Sequence, residues 1–492
     1  MKSPIKTILT SLIIILSMNV SAQGKIQKYD TRIGELEFEN GFENGVPTIE
    51  SSEKLIESFD VMNATVAYSW AMPLVTFYSL FEGITKTNGA GNNDIVLFTG
   101  LNNVRPFLTS NNSTPYIFAA IDLSQSGPMI LDIPKGMLLG FIDDAWQRPI
   151  TDLGMTGIGK GQGEKIVLVG PGQNLETNGY HQVASKTNLV WVVYRVLDPD
   201  PEKAKELLNS IQHYPYHQRL SIPKSKIIIA KADDNNTWHQ AKRGLNYWET
   251  LHNAMQREVV EDRDRLFYGM LKPLGIQKGK DYSPTKEQLK KLEEAAFLGE
   301  ATVKAYVFNK RFETAVWREG CQWEQALNTN PNQEEGYYDM FEGRASFFYE
   351  ATSMSVSYSQ KSIGSGTRYL MSYRDNDNEW LDGAVNYKIR VPADIPVKLF
   401  WDVSVYESRN RIYISNESNV VNLGSRNEEV KRNSDGSVDL YFGTEPPSEE
   451  LKSNWIQTVK GQNWFGLFRF YGPTEPYFDG TFTLPNIEKI KK

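Results

Sequence analysis

The 492-residue chain carries 53 basic and 60 acidic side chains, a formal charge of −7, with no basic blocks, which makes nucleic acid and anionic membranes poor partners. Cys321 is the only cysteine, so no intramolecular disulfide can form and stability must come from burial. The 23 Phe, 24 Tyr and 11 Trp supply large cores for two or three domains.

Residues 1–22 read as a secretory signal peptide: Lys2 and Lys6 precede an apolar run from Ile8 to Val20, and Val20-Ser21-Ala22 places small residues before a cut after Ala22. The run falls short of the roughly 20 apolar residues that span a bilayer, and no cysteine follows it for lipid modification. The expectation is export to the periplasm or beyond, with no membrane attachment after cleavage. The mature chain would keep 51 basic against 60 acidic residues, a charge of −9. Residues 23–47 are polar and punctuated by glycine, and read as a leader or a short edge element.

Residues 48–200 form a first β module preceded by a helix. Leu55, Phe59, Met62, Val66 and Trp70 recur at helical spacing, which predicts a helix packed on a core. Six apolar runs follow, from "NDIVLFTG" to "NLVWVVYRVLD", separated by Gly, Pro, Asn and Asp, as in an antiparallel sandwich or barrel. Residues 201–335 read as a helical connecting region, with a stripe at Trp248, Leu251, Met255 and Val259. Residues 336–492 form a second β module. Each module contains a Pro-led apolar strand with Asp near its end, then a Gly-flanked strand, then an aromatic strand carrying one Arg. The fold class expected is α+β and β-rich, with two jelly-roll-like antiparallel β sandwiches and a helical insert between them.

The stretch "NWFGLFRFYGP" decides between an aromatic ligand platform and a core. Alternation puts Trp464, Phe468 and Phe470 on one face, and Phe465, Leu467, Arg469 and Tyr471 on the other. Two apolar faces predict a strand buried on both sides. A guanidinium there needs a partner to offset desolvation, and Asp402 in "LFWDVSVY" is the natural one. By the same logic Arg195 is expected to pair with Asp143 or Asp144 in the first module. Arg195, Asp402 and Arg469 are thus expected in structural ion pairs.

With "NNSTPYIFAAIDLSQSGPMILDIP", "GFIDDAW", "LVGPG" and "NLVWVVYR" in the first half, and "GSGTRYL", "LDGAVNYKIRVPADIPVKLFWDVSVYE", "NSDGSVDLYFG", "SNWIQT" and "LFRFYGP" in the second, the chain resembles a bacterial family that joins the domain of unknown function 1254 to the domain of unknown function 1214. The resemblance covers about residues 48–490. It implies β-rich sandwiches and frequent export, and no agreed reaction or catalytic residues. The family commonly has Ser after Phe-Trp, where this chain has Asp402.

The residues offer little standard chemistry. The histidines are His181, His213, His217, His239 and His252, so no Ser-His-Asp or zinc-histidine site fits wholly within the second module. His213 and His217 have the spacing of helical zinc ligands, but Pro215 breaks the helix they would need. Cys321 has no local base. "DNDNEWLDG" has Trp380 and Asn386 where an EF-hand loop needs Gly and Glu, and reads as a hairpin turn. "GIGKGQGEK" lacks the Ser or Thr of a phosphate-binding loop. No metal or cofactor is expected. What remains is a polar set: Asn111, Asn112, Ser113 and Thr114 ahead of Tyr116, and Asp143, Asp144 and Trp146 at a strand end. Amides, carboxylates and rings suit a carbohydrate or small polar ligand. Three functions stay open: a binding protein, a hydrolase of glycans or esters using Asp143 with Asp144 or Asp122, and a structural protein assembling with copies of itself.

Overall fold

The computed structural model describes residues 25–105, 107–112, 114–177, 179–231, 240–326 and 330–490. The expected signal peptide, Ser113 and His239 lie outside the described residues. The chain divides into two compact units, residues 1–63 and 64–492.

In the first unit, β1 (Ile26–Thr31) and β2 (Gly34–Glu39) form an antiparallel hairpin that β3 (Val46–Pro47) extends. The polar stretch 23–47, expected as a leader or a short edge element, is therefore strand in large part over its described residues. Thr48 caps the helix Ile49–Glu82 through its Oγ1, which accepts the Ser51 N–H at 3.2 Å. The sequence predicts this helix correctly and its burial only in part. Phe59, Met62 and Val66 are 59%, 45% and 38% exposed, whereas nearly every residue from Ala67 to Phe81 is buried. The reason is local composition: Glu53, Lys54, Glu57 and Asp60 intersperse the apolar positions of the first half, while the second half is apolar on every side, as a helix enclosed by its own unit must be.

In the second unit, that helix packs against Leu245–Arg257 and Lys286–Phe308. Tyr68 stacks on Tyr247 with ring centres 3.7 Å apart, and Tyr247 donates to the Tyr68 carbonyl at 2.6 Å. A Cβ at Gly299 would lie 2.4 Å from the Tyr68 ring, so glycine is what lets the two helices approach.

The first module has two sheets. One sheet, built from β4 (Ile95–Phe98), β5 (Tyr116–Asp122), β7 (Leu138–Asp144), β8 (Pro149–Gly154), β11 (Leu189–Val196) and β13 (Ile227–Ile229), runs in the order β13-β4-β5-β11-β7-β8. The other, from β6 (Met129–Lys135), β9 (Gln162–Val169), β10 (His181–Ala184) and β12 (Gln212–Pro215), runs β10-β9-β6-β12. Alternate residues of both, among them Ile117, Ala119, Leu131, Ile142, Ile166 and Val192, meet in one core. The second module has β14 (Glu324–Gln325), β17 (Thr367–Ser372), β19 (Val397–Glu407), β20 (Asn422–Gly424) and β23 (Trp464–Pro473) in the order β14-β17-β23-β19-β20. Its second sheet, from β18 (Tyr387–Val391), β21 (Val438–Gly443), β22 (Trp455–Gln457) and β24 (Glu488–Lys489), runs β22-β21-β18-β24. A two-residue hairpin, β15 (Glu334–Glu335) with β16 (Tyr338–Asp339), stands apart.

Apart from β13, which has no counterpart in the five-stranded sheet, the two modules share one strand order. β11 lies between β5 and β7 as β23 lies between β17 and β19, and β9–β10 and β21–β22 are both parallel pairs in otherwise antiparallel sheets. The sequence echo between the modules is thus matched by their strand topology. The connecting region is less purely helical than expected: β12, β13 and β14 fall within residues 201–335, and each joins a module sheet. The triplet Ile227–Ile229 and the apolar-polar "QHYP" are short strand signals inside a helix-rich stretch.

Candidate functional site

The strand β23 is buried on both faces. Trp464 meets Tyr387 and Phe442 of the other sheet, with ring centres 5.7 and 4.9 Å away, and Phe468 stacks on Trp401. On the opposite face Arg469 is 2% exposed. Its Nη1 donates to Asp402 Oδ1 at 3.2 Å and Ser404 Oγ at 2.7 Å, and its Nη2 donates to the Tyr406 hydroxyl at 2.6 Å. Nη2 also donates to the carbonyls of Thr109 and Ser110, both at 2.8 Å. Those carbonyls belong to the first module, so one guanidinium fastens the loop 107–112 onto the second module's sheet. Burial alone would lower its pKa, but the Tyr406 hydroxyl and the Asp402 carboxylate hold it well above the ordinary value.

The same loop carries two of the sequence-predicted residues. Asn111 is buried, donates its backbone N–H to the Tyr116 hydroxyl at 3.1 Å and its side-chain amide to the Tyr471 hydroxyl. Asn112 accepts from the Tyr413 hydroxyl at 3.5 Å and reaches a recess of about 260 Å³. The rest of the recess is second-module structure. Phe400, Trp401 and Asp402 come from β19, Asn422 and Gly424 from β20, and Arg426 and Asn427 from the turn that follows. Asn427 shapes that turn by accepting the Gly424 N–H at 2.8 Å. Gly424 is obligatory: a Cβ there would lie 2.3 Å from the Trp401 carbonyl oxygen and 2.9 Å from Asp402 Cβ. Asp402 is 3% exposed, and its Oδ2 has no hydrogen-bond partner although Oδ1 has Arg469 and Ser404. A buried acceptor in the wall of a recess is the feature most in need of an explanation.

The other predicted residues lie elsewhere, and the structure corrects the picture of one pocket holding them all. Asp143, Asp144 and Trp146 are buried and none lines the recess. Asp144 Oδ1 accepts the backbone N–H groups of Trp146 at 2.8 Å and Arg148 at 2.9 Å, closing a turn. Asp143 Oδ2 accepts the Met354 N–H at 2.8 Å. Burial pushes the Asp143 carboxyl well above its usual range, and Asp144 and Asp152 nearby add to the effect. Trp146 packs on Trp70, and its carbonyl accepts from Arg344 at 2.5 Å. The chain that covers these groups, residues 340–359, lies some 200 positions downstream.

Arg195 does not pair with Asp143 or Asp144. It donates to the Thr114 carbonyl at 2.9 Å and to Thr114 Oγ1 at 2.8 Å, and its guanidinium lies 3.9 Å over the Tyr116 ring. Arg195 sits opposite Leu139 in the ladder, at the far end of β7 from both carboxylates, so neither is within reach. Sequence reasoning missed Gly424, Arg426 and Asn427. Their signal was the turn-forming "NLGSRN", which resembles any loop between strands.

Residues 93–215 match the family described as "Protein of unknown function (DUF1254)" and residues 366–475 the family described as "Protein of unknown function (DUF1214)". No curated protein matches the chain. Among solved structures, the VPA0106 protein from Vibrio parahaemolyticus is 18% identical, covering 88% of this chain and 100% of its own, with a TM-score of 0.52. An uncharacterized protein from Burkholderia cenocepacia is 11% identical, covering 89% and 97%, with a TM-score of 0.40. The Vibrio likeness is one of fold alone.

Proposed function

We propose that this chain, which joins a DUF1254 domain to a DUF1214 domain, is an exported protein that binds a small polar ligand in the recess between Asn112 and Asp402, and that both modules are jelly-roll-like sandwiches. The observation that carries the binding reading is a recess of about 260 Å³ whose lining is mostly polar, with Asn112, Asp402, Asn422, Arg426 and Asn427 among its residues. The amides of Asn112, Asn422 and Asn427 add polar recognition groups, and Trp401 adds an apolar wall. A glycoside hydrolase would need two converging carboxylates, and among the described residues Asp402 alone brings a carboxylate to the lining of the recess.

Thermal-shift screening of the mature protein against monosaccharides and small polar metabolites tests binding. A stabilising compound should lose its effect on Asn112→Ala, a half-buried position whose replacement should barely move the melting temperature itself. If no compound stabilises the protein, or if the shifts survive in Asn112→Ala, the binding reading fails. Export is tested separately by the mass of the chain recovered from the periplasm or medium, which should begin at Gln23.

A further inference from the structure

A second set of residues, none of which lines the recess at Asn112, meets at the junction of the two modules. Arg195 lies over the Tyr116 ring, and the Tyr116 hydroxyl accepts the N–H of Asn111, whose side-chain amide donates to the Tyr471 hydroxyl. Tyr471 shares a sheet face with Tyr369, which stands opposite Arg469 on the neighbouring strand. The Tyr369 ring lies 5.7 Å from that of Tyr358, and Tyr358 lies 6.3 Å from Phe141. Phe141 is two residues along β7 from Leu139, the ladder partner of Arg195, so the contacts run in a closed circuit. Tyr116, Phe141, Arg195, Tyr358, Tyr369 and Tyr471 are all half-buried, whereas Phe118, Val193 and Arg469 beside them are buried.

Burial holds the phenols of Tyr358 and Tyr471 well above the usual tyrosine range and raises that of Tyr369, although all three keep accessible area. Their accessible surface therefore faces a cleft in the protein rather than open solvent. Arg195 acts on two of them, its charge drawing Tyr369 and Tyr471 back toward the ordinary value. The hydroxyls of Tyr116 and Tyr471 are engaged by Asn111, and that of Tyr358 lies 3.3 Å from Ser353 Oγ. What the circuit offers inward is thus mainly ring carbon. Arg195 is its one charged member. Nε and Nη2 donate to Thr114, Nη1 has no hydrogen-bond partner and is not enclosed, and the guanidinium makes no ion pair among the described residues. A cation without a counter-charge beside aromatic rings is a receptor for an anion with an apolar body.

We infer that this circuit encloses a second ligand site, for a small aromatic monocarboxylate whose carboxylate meets Arg195 and whose ring packs among the tyrosines. The site is separate from the recess, and either can be occupied without the other. Isothermal titration of the whole chain with benzoate, benzamide and acetate separates the contributions of charge and ring. Benzoate should bind roughly tenfold or more tightly than benzamide, which lacks the charge, and than acetate, which lacks the ring. Arg195→Gln should bring benzoate down to the affinity of benzamide, while Arg195→Lys, which keeps the charge, should leave benzoate ahead. Asn112→Ala, in the recess, should leave all three affinities as they are. The inference is overturned if benzoate binds no better than benzamide or acetate, if none of the three binds, or if Arg195→Gln keeps the preference. It is overturned equally if Arg195→Lys loses the preference as completely as Arg195→Gln, which marks a packing role for Arg195, or if Asn112→Ala abolishes benzoate binding, which moves the ligand to the recess.

Discussion

Arg469→Met removes the guanidinium that ties the two modules together while keeping a long apolar stem in the strand. The change strands Asp402 without its counter-charge and leaves the carbonyls of Thr109 and Ser110 without their shared donor. Breaking a buried ion pair from one side typically costs about 3–5 kcal/mol, and each orphaned carbonyl adds about 1–3 kcal/mol unless water reaches it. Arg195→Met is the internal control, because Arg195 occupies the related strand of the first module but is only partly buried and bonds a single residue, Thr114. Its loss should cost about 1 kcal/mol. Urea denaturation followed by far-ultraviolet circular dichroism and tryptophan fluorescence compares the two. Arg469→Met should lower the midpoint several times more than Arg195→Met, and its two signals should separate as the modules uncouple, where those of the parent are expected to coincide. A loss below about 1 kcal/mol for Arg469→Met, or equal losses for the two variants, would refute the assignment of Arg469 as the fastener of the module junction.

Asp144→Ala is expected to cost about 2–3 kcal/mol in the same assay, because the buried Trp146 N–H and the partly buried Arg148 N–H lose their acceptor, and to leave binding in the recess unchanged. Asp143→Asn should cost less than Asp143→Ala, since burial disfavours the charged carboxylate and an amide oxygen can still accept the Met354 N–H, which Asp143→Ala leaves without an acceptor. His213, enclosed beside the Tyr194 hydroxyl at 2.7 Å, has its pKa lowered to about 3 by burial, so the unfolded chain binds a proton that the folded chain refuses. Its contribution is fully present above pH 6.5 and falls as pH drops toward 3, by about 2 kcal/mol between pH 8 and pH 5; the stability profile of His213→Gln should lack that component. Glu258, raised to about 7 by burial, acts with the opposite sign. It favours the folded state most below pH 4.5 and loses that advantage as pH rises to 7, so Glu258→Gln should remove a decline in stability across that window.

What was legible in the sequence was what alternation and repetition encode. The facing of β23 and the need of Arg469 for an anion follow from period two in one strand, and the echo of Pro-led, Gly-flanked and aromatic strands foretold matching sheets. The buried state of Asp143 and Asp144 was not legible, because an Asp-Asp-Ala-Trp strand end has the composition of an exposed turn. What covers it is a segment some 200 residues away, whose Met354 N–H and Arg344 side chain carry no local mark of their target. The exposure of Phe59 and Met62 was hidden for the converse reason, since a helical stripe states that a face is apolar and not that anything lies against it.

The duplication also accounts for where the recess lies. In the first module the edge strand β8 runs six residues and pairs along β7 from Leu139 to Asp143, and Asp152 at that edge is capped by Ser355 Oγ at 2.9 Å and the Ser357 N–H at 2.9 Å. In the second module the equivalent edge strand β20 is three residues long and pairs with β19 only at Asp402, Val403 and Ser404. The chain then turns away through Ser425 and Arg426: Ser425 donates its N–H to the Trp401 carbonyl at 3.0 Å and accepts the Trp401 N–H on its Oγ at 3.1 Å, and β20 pairs with β19 no further toward Phe400. A shortened edge strand next to an ion pair leaves a polar wall at the recess. On the proposed binding reading, two copies of one topology would differ in function through the length of a single edge strand, while in the copy with the longer strand Ser355 and Ser357 cover Asp152. Lengthening β20 by design, with Ser425 and Arg426 replaced by β-branched residues, is accordingly expected to close the recess and abolish binding while raising the melting temperature; a variant that became more stable yet bound as before would show that the recess is not the site.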